Sequence, residues 1–139
     1  MGDRLALAKE WLIRGEHDFQ TAQLGWKAKA PGDTIAVLLQ QACEKYLKGY
    51  LISTGWHLHK THDVVELVDE AISHDNSFEP FGEMARRLTA YYLVDRYPPG
   101  PPSIPSSEEI EQLLGSTKTL IRQVHTLLGI EWGREAGLV

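Results

Sequence analysis

The residues best suited to chemistry in this chain gather at the end of one apolar segment and at the start of another. The first group is Tyr91-Tyr92-Leu93-Val94-Asp95-Arg96-Tyr97, halted by Pro98-Pro99-Gly100-Pro101-Pro102. In a helix Tyr92 and Arg96, four residues apart, share a face. A guanidinium forks onto phosphate or carboxylate oxygens and stacks on rings, so Arg96 with Tyr92 or Tyr97 can hold an anion or a planar base. The same residues can equally lock a helix end, with Arg96 paired to Asp95, Asp63 or Glu44. The second group, His62 and Asp63, falls at an expected helix N-terminus, where free backbone N–H groups favour anions. Its structural alternative is capping, with Thr61 as the N-cap and its two neighbours completing the first turn. A third pair, Lys45 and Lys48, lies on the polar side of an otherwise apolar helix. Either lysine can neutralise a phosphate; alternatively Glu44 and Lys48 form a solvated pair at i, i+4 contributing about 0.2–0.5 kcal/mol.

Other chemistries have little to stand on. His57, His59 and His62 form an H-x-H-x-x-H run, but it straddles a loop and a helix start and has no cysteine nearby, so neither a metal nor another cofactor is expected. There is no Glu-x-x-His pair for a di-iron bundle, no glycine-rich phosphate loop and no nucleophile elbow.

Five helical segments and no convincing strand are available to position these groups. Leu5, Ala8, Leu12, Gly15, Phe19, Ala22 and Trp26 recur at alternating steps of three and four, the rhythm of a packing seam. Gly15 within that seam predicts close approach of a neighbouring helix. Asp3 is a plausible N-cap, Ala30-Pro31-Gly32 breaks the segment, and Asp33 can cap the next, which runs from about Thr34 to Ser53. The second helix is apolar at Ile35, Leu38, Leu39, Ala42, Cys43, Tyr46, Leu47, Tyr50 and Leu51, and polar at Gln41, Glu44, Lys45 and Lys48. Val64 to Ile72 supply a third helix, and 74–77 reads as a turn. Phe81, Met84, Ala85, Leu88, Tyr91 and Tyr92 mark a fourth. After the proline-rich loop to Pro105, Ser106-Ser107-Glu108-Glu109 is a capping-box signature for a fifth helix, with Ile110, Leu113, Thr117, Leu120, Val124 and Leu127 on one side and Gly129 as its stop. The expected fold is all-α: an up-and-down antiparallel bundle of about five helices with a four-helix-bundle-like core. One domain is expected over 1–129, followed by a tail at 130–139 in which Trp132 can dock.

Composition narrows the function classes. The 139 residues are 42% hydrophobic and 24% charged, ordinary for a globular domain. The formal charge of −5 argues against broad binding to duplex DNA, which needs a basic field. No stretch approaches the roughly 20 apolar residues of a membrane span. Asp3, Lys9 and Glu10 interrupt the N-terminal segment, unlike a signal peptide. Cys43 is the single cysteine, which fits a reducing cytoplasm.

Three segments, in order, resemble the HEPN family. Gln41 to Leu51 is similar to the "EKxLKAxL" helix of small stand-alone prokaryotic HEPN proteins. Gly55 followed by Lys60-Thr61-His62-Asp63-Val64-Val65-Glu66-Leu67 is similar to the "G…THDLxxL" junction, and Tyr91-Tyr92 through Tyr97-Pro98 to the "YxxxRYP" ending. The resemblance implies a helical bundle, commonly a homodimer, that binds nucleotides and partners a small nucleotidyltransferase in pairs like toxin–antitoxin modules. Other branches are metal-independent ribonucleases marked by an Arg, four to six residues, then a His. This sequence departs from that signature: Arg122 and His125 are too close, and no His follows Arg96. The leading expectation is therefore a non-catalytic binding module. In it Lys45, Lys48 and Arg96 supply positive charge, His62 and Asp63 sit at a helix start, and Tyr92 and Tyr97 offer ring faces to a nucleotide or RNA end. The alternatives are a ribonuclease using His62 as general acid or base and Arg96 to stabilise developing charge, and a purely structural partner. An exposed face carrying Trp11 or Trp26 would mark contact with a second subunit.

Overall fold

The computed structural model describes residues 2–57, 61–96 and 104–130, with residues 2 and 93–96 described by their backbone alone. The helices are α1 (Gly2–Lys27), α2 (Gly32–Ser53), α3 (Val64–His74), α4 (Gly82–Arg96) and α5 (Ser107–Leu128), with a 3-10 turn at Asn76–Phe81 leading into α4. No strand occurs among the described residues.

Local chemistry accounts for most helix ends. Ser106 accepts from the N–H of Glu109 at 3.1 Å, and α5 ends at Gly129 in the left-handed region with φ 68°, where a Cβ would be strained. The cap of α3 is Asp63 rather than Thr61: the Asp63 carboxylate accepts from the N–H groups of Val65 and Glu66, while Thr61 Oγ1 accepts from the Asp63 N–H. The carboxylate, one residue before the first helical position, reaches the orphan donors directly. Helix α2 begins at Gly32, two residues before the expected start, behind Pro31; Asp33 sits inside its first turn. The segment after His74 is a 3-10 turn capped by Asp75, which accepts from Ser77.

Helix α2 is the hub and packs on α1, α3, α4 and α5. Helices α1 and α2 run antiparallel, as Gly15 against Tyr46 and Gly49 against Leu12 show, and so do α4 and α5, as Arg87 against Gln112 and Tyr91 against Glu109 show. Helix α3 departs from strict alternation. His62 lies beside Gln40 and Glu44, roughly three turns back along α2 from its end. Phe78, just beyond α3, packs its ring tilted against Tyr50 with centroids 4.7 Å apart, so α3 retraces the second half of α2 in the same sense.

Two glycines set the closest helix approach. A Cβ on Gly15 would lie 2.8 Å from Tyr46 Cδ2, and one on Gly49 2.8 Å from Leu12 Cδ2 and 3.0 Å from the Ala8 carbonyl oxygen. Together with Ala8 and Ala42 they bring α1 and α2 into backbone contact, as Gly15 in the seam predicts. Ala8, Leu12, Phe19 and Ala22 are buried as expected, whereas Leu5 is exposed. On α5 the seam holds through Val124, then turns so that His125 is buried and Leu127 exposed. Ile130, assigned to the tail from sequence, is buried in the core, its N–H bonded to the His125 carbonyl. Gly115 differs from the packing glycines: it lies in the middle of α5, and a Cβ there would meet nothing within 4 Å. Gly115→Ala is expected to stabilise the fold by about 0.5–1 kcal/mol through helix propensity, measurable by urea denaturation; a destabilised variant would contradict the open space.

The core also encloses a polar chain. The Tyr46 hydroxyl donates to Glu16 at 2.8 Å and lies 3.3 Å from His125 Nε2, linking α1, α2 and α5. Burial raises the Glu16 carboxyl above its ordinary 4.5 and holds the His125 imidazole below its ordinary 6.5. As pH falls through 6.5, the unfolded chain takes up a proton at His125 that the folded one resists, so stability drops. Glu16 acts oppositely, because the folded state keeps its proton at a higher pH than the unfolded chain does. The Tm loss between pH 7.5 and pH 5.5 is therefore expected to be smaller in His125→Gln than in the parent; equal losses would exclude His125 as its source.

Candidate functional site

The second half of α2 and the start of α3 bring together the chemistry that the sequence scatters. Glu44 and Lys48 are one helical turn apart, and the Lys48 ammonium donates to Glu44 Oε2 at 2.9 Å. Neither is on a solvated face. Their side chains are 9% and 5% exposed, and the close approach of α1 at Gly49 lays Trp11 over Lys48. The Lys48 ammonium stands 5.3 Å from the centre of the Trp11 ring, a cation–π distance. The positive charge of Lys48 is thus spent on Glu44 and Trp11 inside the protein.

His62 completes the cluster from outside. Its Nδ1 lies 3.1 and 3.2 Å from the two Glu44 oxygens, while its side chain is 71% exposed. A carboxylate only accepts, so Nδ1–H is the donor and Nε2 is left as the outward-facing nitrogen. The backbone holds the residue too, since Gln40 Nε2 donates to the His62 carbonyl at 2.9 Å. Gln40 is wholly buried, and its Oε1 has no protein partner among the described residues. A buried carboxylate therefore aims an exposed imidazole, with a lysine behind it. In the neutral ring Nε2 accepts from a hydroxyl, and in the imidazolium it donates to a phosphate oxygen.

The remaining expected residues divide. Asp63 is next to His62 but spends one carboxylate oxygen on capping. Lys45 is drawn across the α1–α2 interface to Asp18. Tyr92 is half-buried on α4. Its neighbour Tyr91 donates its hydroxyl to Glu109 of α5, and burial with that bond pushes its phenol up to about 12. The Arg96 side chain, Tyr97 and His59 lie outside the described residues, so the expected meeting of Arg96 with Lys48 and His62 is not on view. Among the described residues no group of His, Cys, Asp or Glu is arranged to hold a metal. Sequence reading saw Glu44 as a solvated partner of Lys48 or a partner of Arg96, placed Trp11 only as a candidate subunit contact, and missed Gln40. The available signal was Gly49, which draws α1 over this turn of α2.

The fold and this cluster define a small all-α module whose polar site lies beside its hub helix. A family model for the HEPN domain matches residues 8–127, and the chain belongs to the HEPN domain family. That membership supports a nucleotide-related or ribonuclease-like module. No curated protein and no solved structure matches the chain significantly. No described helix is long and apolar enough to cross a membrane.

Proposed function

We propose that this chain is a HEPN-type module that binds a nucleotide or partners a nucleotidyltransferase, within a two-component system of toxin–antitoxin type in a prokaryotic cytoplasm, acting as a homodimer. The observation that carries the nucleotide reading is His62, exposed and aimed by buried Glu44, with its outward nitrogen free of the protein interior. A phosphate or ribose hydroxyl is the natural partner for such a nitrogen. ATP and GTP titrations followed by tryptophan fluorescence test the reading, since Trp11 covers Lys48 and Trp56 follows α2. A response at millimolar nucleotide, lost in His62→Ala, is the expected result; no response would remove the reading.

A second reading is favoured by the same dyad. An imidazole oriented by a carboxylate through Nδ1 is the usual arrangement of a general base, and a ribonuclease needs one. Against it stands the missing Arg and His spacing. Cleavage of bulk RNA, abolished by His62→Ala with the fold intact, would establish this alternative.

A further inference from the structure

The outer face of α1 carries a stripe that extends beyond the His62 cluster and shares only Trp11 with it. Arg4, Leu7, Trp11 and Arg14 follow one another at steps of three, four and three, so they line one side of the helix. Two hollows open along it and share Leu7. One, of about 280 Å³, is lined by Arg4, Leu7, Ile52, Gly55, Trp56 and His57; the other, of about 200 Å³, by Leu7, Glu10, Trp11 and Arg14. Leu7 is 43% exposed. Arg4 lies across Gly55, where a Cβ would approach its Nη1 to 3.3 Å; Gly55, at φ 99°, is bare as well as left-handed. Among the described residues neither Arg4 nor Arg14 has a carboxylate within ion-pair distance. Among the described residues Glu10 is the one acid in the lining of these hollows.

Guanidinium groups at both ends, with indole and aliphatic surface between them, match an alternation of phosphates and bases. Phosphates take Arg forks, and bases stack on tryptophan or lie on apolar surface. The two arginines are ten residues apart, about 15 Å along the helix, the length of about four stacked nucleotides. Trp11 joins this stripe to the cluster behind it through Lys48 and Glu44. We propose that the Arg4–Leu7–Trp11–Arg14 face, with Trp56 and His57 at one end, is a binding groove for a short single strand of nucleic acid. This inference rests on the nucleotide reading above and extends it from a mononucleotide to a strand.

Fluorescence anisotropy with labelled oligouridylate and oligothymidylate of about eight nucleotides tests it. Arg4→Ala/Arg14→Ala is expected to weaken binding on the order of tenfold, and to lower the dependence of log affinity on log salt by about 1.4, for two phosphate contacts on a single strand. Arg4→Lys/Arg14→Lys is expected to keep most of that salt dependence, because the charge is kept. Binding of both strands, or of the ribose strand alone, supports the groove and tells which sugar it accepts. Absence of strand binding, or unchanged affinity and salt dependence in the alanine variant, overturns it. A change of solution mass by light scattering in the alanine variant, with strand affinity unaltered, also overturns it and makes the stripe a protein contact. If ATP or GTP binds through His62 while strands ignore the arginines, the groove fails and the nucleotide reading stands; if nothing binds, both fail.

Discussion

Glu44→Ala is expected to cost about 3–5 kcal/mol of stability, because it leaves the Lys48 ammonium buried without its counter-charge. In a domain of this size that corresponds to a fall in Tm of about 10–15 °C. The side-chain exposures of 5% for Lys48 and 9% for Glu44 decide the magnitude; the same pair on a solvated helix face would contribute only about 0.2–0.5 kcal/mol. The ring of Trp11 does not replace the lost carboxylate, since its cation–π contact with Lys48 is already present in the parent. Lys48→Met should be milder, because Glu44 keeps His62 as a partner and methionine fills the space under Trp11. The double variant Glu44→Ala/Lys48→Met should recover most of what Glu44→Ala loses, as the stranded charge is gone. Urea denaturation followed by circular dichroism measures all three. A loss under about 1 kcal/mol in Glu44→Ala would mean that the pair is solvated.

The second large effect is expected at the α1–α2 contact. Gly49→Leu should cost more than about 3 kcal/mol and abolish a cooperative melt, because the side chain would occupy the space of Leu12 and the Ala8 backbone. Backbone cannot move aside as a flexible side chain can, so α1 must lift off α2. Its buried Leu12, Phe19 and Ala22 would then lose the surface they pack on. Gly49→Ala is graded: overpacking of about 1–3 kcal/mol against a helix-propensity gain of about 1 kcal/mol. Thermal melts of both variants check the order. A Gly49→Leu protein that melts cooperatively near the parent temperature would contradict the close approach.

These two sites show where sequence reading reached and where it stopped. Gly15 announced a close helix contact because it stands in an apolar seam, where a glycine has a packing reason. Ser106 and Gly129 announced the ends of α5 because capping is local chemistry read within four residues. Glu44 and Lys48 gave no such notice. On one helix they read as an ordinary i, i+4 pair, and nothing within α2 says that another helix will cover them. The α3 cap shows a local miss of a different kind, since Thr61 and Asp63 both have capping side chains and two residues of backbone decide between them.

What the sequence by itself determined is the helix content, the seams, most of the caps and the family, all of which depend on the order of neighbouring residues. What only the tertiary structure decided is which polar groups are spent and which remain available. Lys48 is consumed by Glu44 and Trp11, Lys45 turns to Asp18, and His62 is left facing outward. The physical reason is that the burial of a charge depends on what a distant segment lays over it. Here that segment is α1, brought in by two missing side chains at Gly15 and Gly49.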